Sequence, residues 1–174
     1  MKKDNWILKV FIISFVIAFI FNSFSNIVIN KFDNIIILIF ISLIFIFLGI
    51  LFDIFGTAVL TAEESTFHSM SSKRIKGSKT GVYLIKNNHR IASIFCDIIG
   101  DICGIISGSV SALISLLLSV KFNVSTVLML IIVSSIVSSL TIGGKAIGKK
   151  YSIKNADKIV HSLSKFFEHF KRSN

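Results

Sequence analysis

Residues 49–108 read GILFDIFGTAVLTAEESTFHSMSSKRIKGSKTGVYLIKNNHRIASIFCDIIGDICGIISG, and this stretch decides the fold. It joins two long apolar segments through a basic, polar one. Three carboxylates, Asp53, Asp97 and Asp101, lie inside sequence that is otherwise suited to lipid. A carboxylate at the centre of a membrane helix costs at least ~2.5 kcal/mol, so such residues usually serve a function. We interpret them as part of a cation path.

The composition indicates a membrane protein. Of the 174 residues, 53% are hydrophobic and only 16% are charged, phenylalanine occurs 17 times and proline is absent. A soluble domain of this size could not bury so much apolar surface. The net charge of +10 lies beside the apolar runs, which indicates an anionic membrane surface and not nucleic acid as the partner.

Four apolar segments are each long enough to cross a bilayer as a helix, namely residues 6–29, 35–61, 91–120 and 124–142. Their continuous apolar character excludes the alternation of a membrane β-barrel. We therefore predict an all-α, polytopic membrane helix bundle with four spans. The first segment lacks an A-x-A cleavage signal, so we expect it to be retained as a helix with Trp6 at the interface.

The polar segments predict further helices. A helix is expected to continue from the second span over residues 62–74, and a short amphipathic helix over residues 79–86, forming a cytoplasmic juxtamembrane pair. A last helix after Asn155 is predicted to lie in the interface, because its apolar side chains share one face. These side chains are Ile159, Leu163, Phe166, Phe167 and Phe170.

The sequence divides into three parts on this interpretation. Residues 1–34 are an extra N-terminal transmembrane helix and its turn, and residues 35–144 are the main transmembrane domain, which contains the juxtamembrane segment 62–90. Residues 145–174 are a basic amphipathic cytoplasmic tail.

The basic residues predict the orientation. Of the 19 Lys and Arg residues, only Lys31 and Lys121 fall in the two short turns between spans. Positive charge is retained in the cytoplasm. We therefore expect a multi-pass protein of the cell membrane with both termini cytoplasmic.

Hydroxyl and carboxylate side chains outline a candidate metal site. Helical periodicity places Asp53, Thr57 and Glu64 on one face, and Asp97 and Asp101 lie one turn apart on the next apolar helix. Such hard oxygen donors suit magnesium or sodium. The alternative is a polar network that holds the helices together. The candidate ligands are Asp53, Thr57, Glu64, Asp97, Asp101 and Ser107.

Other side chains favour structural roles. Cys96 and Cys103 are interpreted as packing residues, and His68, one turn after Glu64, as a surface residue without further ligands at metal spacing. No catalytic triad or nucleotide motif is visible, so we expect neither an enzyme nor an organic cofactor. A ridge of small residues at Gly100, Gly104 and Gly108 predicts close helix packing and a homodimer.

Several short motifs occur in a characteristic order: TAEESTF (61–67), SKRI (72–75), LIKNNHR (84–90), GD (100–101), LTIGGKAIGK (140–149) and NADKIV (155–160). Their order and spacing resemble the transmembrane domain of the CNNM/CorC family of magnesium transporters. The resemblance covers roughly residues 49–160.

The resemblance implies a dimer of three-span domains, each with a juxtamembrane helix pair, around a dehydrated magnesium ion held by oxygen atoms. It places Glu64 at the family's glutamate and Asp101 where an asparagine is usual. Lys145 stands where the family has an acidic residue, and Gly148 where it has proline. No part of the 174 residues resembles the family's CBS-pair or C-terminal modules, so we expect no control through them in this chain.

Two functions follow as expectations. The first is a membrane protein of magnesium transport or homeostasis, with the ion bound or transported. The alternative is a non-transporting scaffold or a partner subunit of a full-length CNNM/CorC relative. Lys145 separates the two, because its ammonium either forms a salt bridge with the carboxylates or extends to the cytoplasmic face and leaves them free.

Overall fold

The computed structural model describes the backbone of residues 6–31 and 34–172, and the side chains of residues 8–23 and 34–169. Every regular element in these ranges is helical, which confirms the all-α prediction. The predictions on Trp6, on Phe170 and on residues 31–33 of the first turn fall outside the described side chains. The elements are α1 (Trp6–Lys31), α2 (Ile35–Thr61), α3 (Glu64–Ser72), α4 (Ser78–Lys86), α5 (Asn88–Ala92), a π-helical segment (Ser93–Gly100), α6 (Asp101–Phe122), α7 (Thr126–Lys154) and α8 (Ala156–Arg172).

Three helices are long and apolar enough to cross a membrane: Ile35–Thr61, Asn88–Phe122 and Thr126–Lys154. The second of these is continuous through α5, the π-helical segment and α6. They correspond to the predicted second, third and fourth spans. The described part of α1 contributes a shorter apolar helix, Leu8–Ser23, so a first span there stays a prediction.

The helix predicted over residues 62–74 is interrupted, and that prediction is wrong. α2 ends at Thr61, Glu63 has an extended backbone (φ −84°, ψ 123°), and α3 begins at Glu64. The Glu63 N–H donates a hydrogen bond of 3.0 Å to Oδ1 of Asp157, which is distant in sequence. This tertiary partner satisfies a backbone donor at the start of α3, where a helix leaves its first N–H groups unpaired.

The helix of the predicted fourth span, α7, extends beyond the predicted end at Ile142. α7 continues through Gly143 and Gly144 to Lys154. A Cβ atom at residue 144 would lie 2.2 Å from Cδ1 of Ile50, so Gly144 allows a close helix contact and does not end the helix. Two glycines in a sequence favour a helix end, but tight packing offsets their low helix propensity here.

The chain divides into two compact units. The first comprises residues 1–50 and 98–144, and the second comprises residues 51–97 and 145–174. The boundary cuts through three long helices.

In the first unit, α1 packs against α6, and Phe21 meets Phe45 edge to face at 6.2 Å between ring centroids. Gly49 of α2 approaches α6 closely, because a Cβ there would lie 3.3 Å from both Cys103 Cβ and the Gly100 carbonyl oxygen. Small residues at such points let membrane helices approach closely.

Serine hydroxyls follow one buried face of α6. Each hydroxyl donates to a carbonyl oxygen three or four residues earlier, at 2.7–2.9 Å, so none of these four hydroxyl groups is unpaired in its apolar surroundings. The serines are Ser107, Ser111, Ser115 and Ser119.

The core of the second unit surrounds Phe67, which is fully buried. Side chains from α2, α4 and α8 pack around it. Gly81 of α4 lies directly against the ring, because a Cβ there would be 2.3 Å from Cδ1 of Phe67. The other buried members of this core are Ala58, Val59, Leu84, Ile85, Val160 and Leu163.

Much of the apolar face of α8 therefore belongs to this core. Leu163 is buried in it and Ile159 packs against it, whereas Phe166 and Phe167 remain 67% and 41% exposed. Among the described side chains predicted to face lipid, only these two phenylalanines are exposed enough to do so.

Two carboxylates of α8 dock this helix on its neighbours. Asp157 accepts from the Glu63 N–H before α3, and Glu168 accepts from the Gly77 N–H before α4. Both acceptors sit at helix N-termini, where the helix dipole favours negative charge. α8 thus supplies caps that α3 and α4 lack in their own sequence.

Candidate cation site

Asp53 is the buried carboxylate of the predicted site. It lies on α2, is 3% exposed, and its Oδ2 is 3.8 Å from Nζ of Lys149 on α7. Oδ2 has no hydrogen-bond partner among the described residues. A buried carboxylate is costly unless it is paired, so the Lys149 ammonium offsets its charge.

Lys149 is a cation beside this carboxylate, and it was not singled out from the sequence. Lys149 lies one helical turn after Lys145 on α7. This spacing, together with continuation of the helix past Gly144, is the sequence signal that points to Lys149. The Lys149 side chain is 54% exposed, whereas that of Asp53 is 4% exposed, so the pair joins a buried carboxylate to a partly exposed lysine.

Near Asp53, α2 packs closely against the end of α5 and the start of the π-helical segment. A Cβ at Gly56 would lie 2.3 Å from Cys96 Sγ and 3.2 Å from the Ala92 carbonyl oxygen. The Cys96 thiol donates a long 3.7 Å hydrogen bond to the Asp53 carbonyl oxygen. Thr57 is half-buried and within hydrogen-bonding reach of Cys96.

The π-helical segment is the most unusual backbone feature of the site. It runs for 8 residues, Ser93–Gly100, and Asp97 lies inside it with an exposed side chain. π-Helical turns are rare and occur often at functional sites. Nothing in the sequence signals this segment, because its side chains have the same periodicity as an apolar α-helix.

Glu64 lies apart from Asp53. Its exposed carboxylate Oε1 is 3.1 Å from His68 Nε2, one turn later on α3. This pair is local and solvated, which agrees with the interpretation of His68 as a surface residue. Such exposed pairs contribute little to stability.

Asp101 and Ser107 belong to the first unit. Asp101 begins α6 directly after the π-helical segment and its side chain is exposed. Ser107 is buried and its hydroxyl donates to the Gly104 carbonyl oxygen at 2.9 Å. A hydroxyl in that geometry still has oxygen lone pairs for a cation.

Within the second unit, then, Asp53 and Thr57 are brought together around Cys96, and Glu64 is elsewhere. No group of three or more His, Cys, Asp or Glu side chains able to hold a metal occurs in the described part of the chain. A cation at this site would therefore depend on backbone and hydroxyl oxygens beside its carboxylates, as hard cations accept.

Comparisons with protein-family models, with curated proteins and with solved structures found no match to this chain.

Proposed function

We propose that this chain is a multi-pass membrane protein of magnesium transport or homeostasis, similar in kind to the transmembrane domain of the CNNM/CorC family. The ion is its cargo. The proposed oxygen donors are Asp53, Thr57 and Asp97 in the second unit and, in the first unit, Asp101 and Ser107, with backbone carbonyl oxygens of the π-helical segment. Glu64, which is paired with His68, is not among them. No organic cofactor and no catalytic step is involved.

The observation that carries this proposal is the π-helical segment inside a membrane-length helix. Its hydrogen bonds run to the fifth residue and not the fourth, so the carbonyls there are redirected relative to the α-helix on either side. Non-helical or altered backbone at membrane depth is tolerated where it faces protein or a polar cavity. One acidic residue lies inside the segment, Asp97, and another follows it, Asp101.

Magnesium binding to the purified protein tests this proposal. We expect saturable binding that is weakened in Asp101→Ala, because this change removes a proposed ligand. Glu63→Ala removes an exposed carboxylate outside the set and is the matched control. Binding that is equal in all three proteins would contradict the ligand assignment.

The proposed arrangement in the membrane has four spans, with the pair α3–α4 and helix α8 on the cytoplasmic side. The split of basic residues supports it, since Lys121 lies in the last turn of α6, at the end that would face outward, and most other basic residues lie outside the apolar runs at the opposite ends.

Cysteine labelling in intact cells tests this orientation. The two native cysteines, Cys96 and Cys103, are first replaced by alanine. We expect Asn123→Cys to react with a membrane-impermeant maleimide and Ser72→Cys to react only after permeabilisation, because both positions are exposed on the protein surface. The reverse pattern would invert the orientation.

The proposed homodimer uses the ridge of small residues on α6. A Cβ built at Gly104 meets no atom within 4 Å, so a larger side chain fits within the protomer. We expect Gly104→Leu to lower the crosslinked dimer fraction without lowering the melting temperature in detergent. Gly143→Leu, at an equally open glycine on α7, is the control and should leave the dimer intact. An unchanged dimer in Gly104→Leu would place the dimer contact elsewhere.

The second candidate function is a non-transporting scaffold or partner subunit of a full-length relative. The contact between Asp53 and Lys149 favours it, because a tethered ammonium already lies beside a deeply buried carboxylate. On this alternative the carboxylates serve helix packing, and magnesium has no effect on the protein.

A further inference from the structure

A cavity of about 420 Å³ lies at the surface of the second unit, between the loop before α4 and the end of α8. Its lining combines two lysines, a histidine, a carboxylate and an exposed aromatic ring. None of these side chains belongs to the candidate cation site. The lining residues are Lys76, Lys165, Phe166, Glu168 and His169.

Gly77 brings the two lysines of this cavity together. Its φ of +84° is strained for any residue with a side chain, and a Cβ there would lie 3.0 Å from the Lys165 backbone nitrogen. The chain therefore turns directly against α8, and Lys76 lies beside Lys165. Two exposed ammonium groups held in proximity repel each other unless an anion lies between them.

The carboxylate in the lining is committed to the backbone. Glu168 Oε2 accepts a hydrogen bond from the Gly77 N–H, which fixes the loop on α8. Burial and, secondarily, the Lys165 ammonium lower the pKa of His161, which lies one turn before Lys165 on α8. Lys76 and Lys165 are both exposed, so solvent and solutes reach them.

From this geometry we propose that the cavity binds the phosphate group of an anionic phospholipid. Lys76 and Lys165 would donate charge-assisted hydrogen bonds to the phosphate oxygens, and His169 would add a third donor. Lysine is a common point-charge ligand for phosphate. This inference does not depend on the cation proposal.

The apolar rim favours a lipid over a free phosphate ion. Phe166 lines the cavity and is 67% exposed, and Phe167 beside it is 41% exposed. Exposed aromatic rings next to basic side chains are typical of elements that lie in the headgroup region of a bilayer. A free phosphate would gain nothing from these rings.

A titration with water-soluble lipids tests the site. The purified full chain in a neutral detergent is titrated with dioctanoyl phosphatidic acid, with dioctanoyl phosphatidylcholine and with inorganic phosphate, and binding is followed by calorimetry. We expect saturable binding of the anionic lipid that weakens as salt is raised, and much weaker binding of the other two ligands.

The variants locate the site. Lys76→Gln with Lys165→Gln should weaken phosphatidic acid binding by at least about tenfold, since each charge-assisted bond contributes on the order of a tenfold factor. Lys79→Gln with Lys86→Gln removes two other exposed lysines from the same unit and should leave the affinity unchanged. Unliganded melting curves of both pairs confirm that the fold is intact.

Three results would overturn the proposal. Equal loss of affinity in both lysine pairs would show diffuse charge attraction. Equal binding of inorganic phosphate and phosphatidic acid would assign the cavity to a soluble phosphate. Absence of saturable binding by the wild-type protein would remove the site altogether.

Discussion

Phe67→Ala is expected to lower the free energy of unfolding by about 3–5 kcal/mol, the cost of deleting a fully buried aromatic ring. Phe67 is completely inaccessible, and its buried cluster includes residues of α2, α4 and α8, the last of which is distant in sequence. The effect is measured as a shift in the melting temperature of the purified chain in detergent, or by titration with a denaturing detergent.

A double-mutant cycle with Gly81→Ala sharpens this prediction. Gly81→Ala alone should destabilise the protein by about 1–3 kcal/mol, because the new methyl group meets the Phe67 ring. In the Phe67→Ala background the same methyl group enters the vacated space, so its cost should vanish or reverse. Gly104→Ala, at a helical glycine with open surroundings, is the control and should be neutral or stabilising. Additive losses in the cycle would contradict the packing of α4 on α3.

Lys149→Met should produce the second large effect. The change roughly keeps the length of the side chain but removes the ammonium that lies 3.8 Å from the buried Asp53 carboxylate. We expect a loss of about 1–3 kcal/mol, less than for a fully buried pair because Lys149 is half-exposed. Lys150→Met, at an exposed neighbouring lysine, should change the melting temperature little.

Magnesium separates the two functional hypotheses in this variant. If Asp53 is a cation ligand, millimolar magnesium should restore the melting temperature of Lys149→Met by binding the folded state. Asp53→Asn should then abolish the rescue. If the contact is only structural, the variant stays destabilised at every magnesium concentration, and sodium at equal ionic strength gives the same curve.

The long apolar helices could be predicted from the sequence because bilayer thickness sets their length and the apolar runs have no interruption. The span Ile35–Thr61 agrees with the prediction at both ends. The other boundaries could not be read in the same way. Glycine and lysine after Ile142 resemble a helix exit in the sequence, but in three dimensions Gly144 serves the contact with Ile50.

The metal site itself stays a prediction, but two of its local features can be compared with the structure. Helical spacing identified Asp53 and Thr57 as neighbours on one helix, whereas the ion pair of Asp53 with Lys149 joins two helices distant in sequence and has no local signal. The helix interruption at Glu63 is accompanied by a hydrogen bond to Asp157, which lies far along the chain. Such a distant partner cannot be predicted from the local sequence. The π-helical segment has no side-chain signature at all.

Magnesium flux is the measurement that tests the central claim most directly. The full chain is reconstituted into liposomes that contain a magnesium-sensitive dye, and magnesium is added outside. We predict dye signals above those of protein-free liposomes, a reduced rate in Asp101→Asn, and a normal rate in Glu63→Ala. Wild-type liposomes that are no more permeable to magnesium than empty ones, with protein inserted in both orientations and folded by its melting curve, would contradict transport by this chain.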